Sequence, residues 1–211
     1  MEDVISDRKI IGIIDYGAGN ITSVTNALNY LQVDNELIHS PNDMKKYSKV
    51  ILPGVGSFKR SMNLLEERNL DVAIKDFISV PSNKFLGICL GMQLLYDFSE
   101  EDGGCRGLGI IKGTVSRLVG SDNFKVPNVG WREISIKSSS GLYKDITSKL
   151  IFYFVHSYAC QTTDEKSITG TLDHNGQFSC SLECENIFAV QFHPEKSQKI
   201  GLNMLANFIK L

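Results

Sequence analysis

The sequence predicts an α/β fold in which an open, mostly parallel sheet carries helices on both faces and is followed by a second half richer in strands. Three observations predict it. Short apolar runs alternate with amphipathic segments through the first half. Glycine-bearing turns sit where a strand-like run meets a helix-like one. Beyond Gly103 the stripes give way to glycines and short apolar stretches.

In chain order, "KIIGIID" (9–15) reads as a buried strand. In "NITSVTNALNYL", Ile21, Val24, Leu28 and Leu31 recur at helical spacing. "KVIL" (49–52) is the next strand, and "PGVGS" a turn whose Ser57 suits the N-cap of a helix through Phe58, Met62 and Leu65. "NKFLGI" (83–88) reads as strand and "GMQLLYDF" as helix. Later, "GLGIIKGTVSRL" and "VPNVGWREISI" read as strands and turns, "KSSSGLYKD" as a surface loop, and "IFYFVHSYAC" and "IFAVQF" as strands. Leu202, Leu205 and Ile209 stripe a final helix.

With 211 residues, 42% hydrophobic and 22% charged, the chain suits one sizeable core, so residues 1–211 are expected to form a single domain. The 22 Lys and Arg against 24 Asp and Glu leave no basic footprint for nucleic acid and no like-charge tail. No apolar run approaches the roughly 18 residues of a membrane span, and the polar start "MEDVISDRK" is unlike an export signal; a cytoplasmic protein is expected. Five cysteines then suit a reducing compartment. Cys160, His174, Cys180 and Cys184 raise the question of zinc, but no C-x-x-C pair is present. Cys180 and Cys184 are expected to share a strand face simply through its two-residue period, so no metal is expected.

Open parallel sheets place their chemistry at the carboxyl ends of strands. Three turns fall there: "DYGAGN", "PGVGS" and "GICLG". The first lacks the third glycine of a dinucleotide fingerprint, since Thr22 occupies its place, and no cofactor is expected. In the third, Gly87 and Gly91 flank Cys89 at −2 and +2. They permit a tight strand-to-helix turn that lifts a nucleophile above the sheet, with the Leu90 N–H directed at a developing oxyanion. On this pentapeptide alone a packed core thiol fits equally well.

A cysteine nucleophile needs a base. His39 reads as surface and His174 as a hairpin turn, whereas His193 in "FAVQFHPEKS" ends an apolar strand. Pro194 biases it to extended geometry, where Glu195 at i+2 shares its side and could accept from one imidazole nitrogen. Alone, H-P-E more often marks a strand end entering a charged loop.

Taken together, "GICLGMQ", "VHSY" and "FHPEKS", in this order, resemble the class I, triad-type glutamine amidotransferases over nearly the whole chain. "IDYGAGN", "ILPGVGSF", "SEEDGGCRGLGII" and "KVPNVGW" resemble, more narrowly, glutaminase subunits of imidazole glycerol phosphate synthase, which partner a (β/α)8 barrel cyclase. The resemblance implies a flavodoxin-like fold and L-glutamine as substrate. Cys89 would be the nucleophile, His193 general base and acid, and Glu195 its orienting group. Backbone around Gly54 and Val55 would complete the oxyanion hole with Leu90. Gln93 and Glu101 would hold the substrate, with His156, Ser157 and Tyr158 contributing mainly backbone contacts. Asn20, Asn128, Trp131, Arg132, Tyr153 and Lys196 would lie toward the barrel, in a heterodimer.

Two positions depart from the P-H-x-G-W-N pattern of the biosynthetic subunits: Asn128 replaces histidine and Arg132 replaces asparagine. They leave the triad intact and open the partner's identity. A related barrel that amidates a bacterial surface sugar is the alternative acceptor of ammonia. A non-catalytic binding protein and a cysteine peptidase are further readings. "GMQ" and "VHSY" suit a glutamine pocket better than an open peptide groove. The polar N-terminal extension has no assigned role.

Overall fold

The computed structural model describes residues 10–211; the N-terminal extension, residues 1–9, lies outside the described residues. The first half comprises β1 (Ile11–Ile14), α1 (Ile21–Tyr30), β2 (Asn35–Ile38), α2 (Pro41–Met44), β3 (Lys49–Gly54), α3 (Phe58–Glu67), α4 (Leu70–Ile78), β4 (Lys84–Cys89) and α5 (Leu90–Gln93). Strands then dominate: β5 (Tyr96–Ser99), β6 (Cys105–Arg106), β7 (Ile111–Arg117), β8 (Asn128–Glu133) and β9 (Ser135–Ile136). They continue as β10 (Ile151–His156), β11 (Tyr158–Thr162), β12 (Ile168–Asp173), β13 (Gln177–Cys184) and β14 (Ile187–Val190), before α6 (Gln198–Lys210).

β2, β1, β3, β4 and β14 lie side by side in that order, all parallel. This is the flavodoxin-like arrangement. β1 is buried along its whole length, as a strand covered on both faces must be. Alternate residues face opposite layers: Val50 and Leu52 pack toward α3 and α4 with Phe58, Leu65 and Phe77, whereas Ile51 packs toward α1 and α6 with Leu28, Leu205 and Phe208. Beyond β14 the same 12-stranded sheet continues through antiparallel β13, β11 and β7. β8 and β10 form a separate antiparallel pair. The expected α/β architecture with a strand-rich second half is present.

Four local readings are corrected. "GMQLLYDF" is a single helical turn followed by β5, because the backbone from Leu94 to Asp97 is engaged by residues 107–111. "IFYFVHSYAC" breaks at Ser157 into two strands of different sheets. In "KSSSGLYKD", Leu142 is fully buried. Cys180 and Cys184 do not share a face. An extra residue at Cys180 shifts the pairing of β13 with β12, leaving Cys180 against Phe178 and Leu172 and Cys184 against the opposite layer.

Candidate active site

Three strand ends converge. Gly54, closing β3, is in register with Cys89, closing β4, and β14 runs beside β4 into Gln191, Phe192 and His193. Cys89 sits at φ 54°, ψ −110°, a conformation that costs a residue with a side chain about 1–3 kcal/mol. Close packing enforces it. A Cβ on Gly91 would lie 1.9 Å from the Leu52 carbonyl oxygen, and one on Gly54 would lie 2.8 Å from the Gly91 nitrogen. The elbow is therefore pinned against β3, with the Leu90 N–H beside the sulfur-bearing residue. Because α5 has only four residues, it brings no long-helix dipole to bear on the sulfur.

Ser57 stands at the N-cap of α3 as expected, but its hydroxyl donates to Asp102 at 2.7 Å. The cap comes from across the chain: Glu101 accepts from the Phe58 N–H at 2.7 Å. Burial raises the Glu101 carboxyl above its usual range, that N–H pulls it down, and Asp102 pushes it up. Glu101 thus flanks the "PGVGS" turn, the side on which Gly54 and Val55 lie.

His193 is extended (φ −101°, ψ 94°), as Pro194 requires, and is held from both ends of its backbone. Its N–H donates to the Tyr153 carbonyl at 2.9 Å, and its carbonyl accepts from the Ser197 hydroxyl at 2.6 Å. The ring meets Glu195 through Nδ1 at 2.8 Å, with both side chains 1% exposed. Burial pulls the imidazole down, but the Cys89 sulfur and then the Glu195 carboxylate outweigh it and carry its pKa up to about 10. Nε2 nevertheless has no partner of good hydrogen-bond geometry among the described residues. The sulfur acts on the ring through proximity rather than an aligned bond, a looseness common in catalytic pairs without substrate.

Gln93 lies one turn past Cys89 and is 5% exposed. Both its amino hydrogens serve the protein: Nε2 donates to the Tyr158 carbonyl at 2.9 Å and to Gln191 Oε1 at 3.0 Å. Its own Oε1 takes part in neither bond. His156 is held neutral: burial drives its pKa down to about 4, against the Tyr158 carbonyl, which raises it. Its Nδ1–H donates to that carbonyl at 2.8 Å, so Nε2 accepts from Asn128 Nδ2 at 3.0 Å.

On β8 and β10 the inward and outward faces separate the residues expected at the docking surface. Trp131 and Tyr153, paired across the strands, form an outward edge-to-face contact with ring centroids 5.9 Å apart, flanked by exposed Val129, Ile151 and Val155. Asn128 falls on the inner face and is 0% exposed, so it is not a surface residue. Arg132 follows on that inner side and donates to Asn128 Oδ1 at 3.1 Å. Asn20 stands at the N-cap position of α1 beside the "DYGAGN" turn without a side-chain bond to the helix backbone, its Oδ1 accepting from the Ser23 hydroxyl, and Lys196 is exposed just past Glu195. Sequence reasoning missed Gln191. Fully buried, it brings Nε2 within 3.7 Å of Cys89 Sγ.

Residues 12–211 match the family model of class-I glutamine amidotransferases. Imidazole glycerol phosphate synthase subunit HisH 1 of Campylobacter jejuni (strain RM1221) is 43% identical over 96% of this chain and 100% of its own. Subunit HisH of Chlorobium chlorochromatii (strain CaD3) is 42% identical, with the same coverage of 96% and 100%. The chain also matches chloroplastic imidazole glycerol phosphate synthase hisHF of Arabidopsis thaliana, at 39% identity over 95% of this chain but 34% of the longer one. Among solved structures, PurLQS from Thermotoga maritima superposes with a TM-score of 0.75 at 16% identity, covering 96% and 98% of the two chains, a likeness of fold. With its elbow cysteine and buried His193–Glu195 pair in that frame, the chain belongs to the class-I glutamine amidotransferases, among the HisH subunits of imidazole glycerol phosphate synthase.

Proposed function

We propose that this chain hydrolyses L-glutamine to glutamate and ammonia and passes the ammonia to a (β/α)8 barrel cyclase in histidine biosynthesis. The observation that carries the reading is Cys89, held at φ 54° on a packed elbow beside an imidazole bonded to a buried carboxylate. Cys89 Sγ attacks the side-chain carbonyl carbon. The C=O electrons move onto oxygen, which the N–H of Leu90 and the Gly54–Val55 backbone receive. His193, favoured in its protonated form, gives a proton to the departing nitrogen, and collapse of the oxyanion expels ammonia and leaves a thioester. Water then adds to the thioester as His193 takes its proton, and the second collapse returns the sulfur and releases glutamate. Glu195 stabilises the imidazolium in both halves.

The outward Trp131–Tyr153 pair, with Lys196 nearby, supports a barrel docked on that side. Ammonia released without an acceptor serves nothing, so the isolated chain turns over slowly. The test measures glutamate release with and without the cyclase and its ribonucleotide ligand. Cys89→Ala is expected to abolish release while ammonia-driven cyclisation by the partner continues. Equal rates with and without the cyclase would sink the coupling. Absence of turnover with a matched cyclase would favour a binding protein. A barrel that amidates a sugar is the second reading, and turnover activated by such a barrel instead of by the cyclase would establish it.

A further inference from the structure

We propose that Gln191 is a thiolate-holding residue, donating a hydrogen bond to the Cys89 sulfur in an orientation that the Tyr158 carbonyl dictates through Gln93. The inference rests on Cys89 being the nucleophile.

The argument is one of donors and acceptors. A carbonyl only accepts, so whichever end of the Gln93 amide meets the Tyr158 oxygen at 2.9 Å must be the amino end. That same amino group meets the Gln191 amide at 3.0 Å, so Gln191 must present its oxygen there, and Cys160 Sγ faces the same oxygen at 4.0 Å as a further donor. The Gln191 amino group is then left for Cys89 Sγ at 3.7 Å. Reversing Gln191 alone sets amino group against amino group and carbonyl against sulfur. Reversing both amides sets the Gln93 oxygen against the Tyr158 oxygen. Gln191 is 0% exposed and Gln93 5%, so bulk water has little access to repair either mismatch. The Tyr158 carbonyl is itself fixed by a second donor, the neutral His156, whose other nitrogen is taken by Asn128 and through it by Arg132.

A donor on the sulfur favours its anionic form and eases its departure when the thioester is hydrolysed, at some cost in nucleophilicity. That trade gives a signature mere packing would not. In Gln191→Leu, which keeps bulk but has no donor, the pH curve for iodoacetamide alkylation at the Cys89 peptide should move up by about one pH unit. Its high-pH plateau should rise about threefold, because nucleophilicity grows with basicity. A curve that superimposes on wild type would overturn the proposal. A second measurement avoids the substitution: in the 15N NMR spectrum of the wild-type chain, the Gln191 side-chain NH2 signal should shift on alkylation of Cys89. An unmoved signal would also overturn it. If wild type neither alkylates at Cys89 nor turns over glutamine with its cyclase, the nucleophile assignment itself has failed, a result distinct from either of these.

Discussion

Gly91→Ala isolates the packing that shapes the elbow. The added Cβ would lie 1.9 Å from the Leu52 carbonyl oxygen and 2.9 Å from its carbon, atoms of a central strand that cannot swing aside. Ordinary contact requires α5 and β3 to part by about 1.5 Å. Overpacking of this kind costs about 3 kcal/mol, which in a chain of this size lowers Tm by about 6–12 °C. The catalytic loss should be larger, because Cys89 keeps its φ of 54° only while that contact is closed. A displacement of about 1 Å at a reacting atom costs about 100-fold in rate. Gly176→Ala is the control: it also has positive φ (133°) but nothing within 4 Å of its Cβ, in the turn between β12 and β13. It should lose about 1–2 kcal/mol to strain and nothing in rate. Thermal melting and cyclase-activated glutamate release would be measured on both variants. Equal rate losses in the two, or full activity in Gly91→Ala, would refute the claim that β3 packing sets the elbow.

Three further outcomes follow from the site. His193 is held above its unfolded value of about 6.5, so the stability it contributes is complete below that pH and is lost as pH rises toward about 10. Tm should decline across that window, and Glu195→Gln, which removes a group holding the proton, should shrink the decline and end it at lower pH while its onset stays near about 6.5; a decline of unchanged extent would contradict the pairing. Trp131→Ala should weaken cyclase binding about 30-fold by titration calorimetry without lowering Tm, as expected for an exposed aromatic anchor. Asn128→Ala should do the reverse, because it strands His156 Nε2 in the interior: Tm falls by about 4–8 °C, with a smaller loss of affinity. A large affinity loss at unchanged Tm would return Asn128 to the docking surface.

The parallel half of the fold was legible because its signals are local. Buried strands such as Ile11–Ile14 read as apolar runs, helices as 3.6-residue stripes, and the turns between them carry glycine. What was not legible is set by pairing between distant segments. "LLYDF" has helical spacing, yet its backbone is claimed by residues 107–111, and no local pattern announces that partner. The break at Ser157 is similar: ten strand-forming residues in a row contain nothing that says the first six pair with β8 and the rest with β7. The shift at Cys180 arises because β12 and β13 each carry an extra residue, which the two-residue period cannot register.

At the site, residue types were legible and orientations were not. Glycine spacing, Pro194 and the i, i+2 relation made Cys89, His193 and Glu195 candidates, because each is a rule about neighbours in sequence, but only the resemblance carried by several motifs together chose them over a core thiol and a strand end. Asn128 was misplaced because its side follows from the pairing of β8 with β10, where His156 opposite takes it inward. Gln191 is the instructive omission. The two-residue period that sets Glu195 beside His193 runs backward equally well and sets Gln191 on the same side, with Phe192 turned into the core between them. The alternation alone could have named Gln191. Its meaning could not be read there, since an amide becomes a donor to sulfur only when Gln93 and the Tyr158 carbonyl, 33 residues earlier in the chain, fix which way it points.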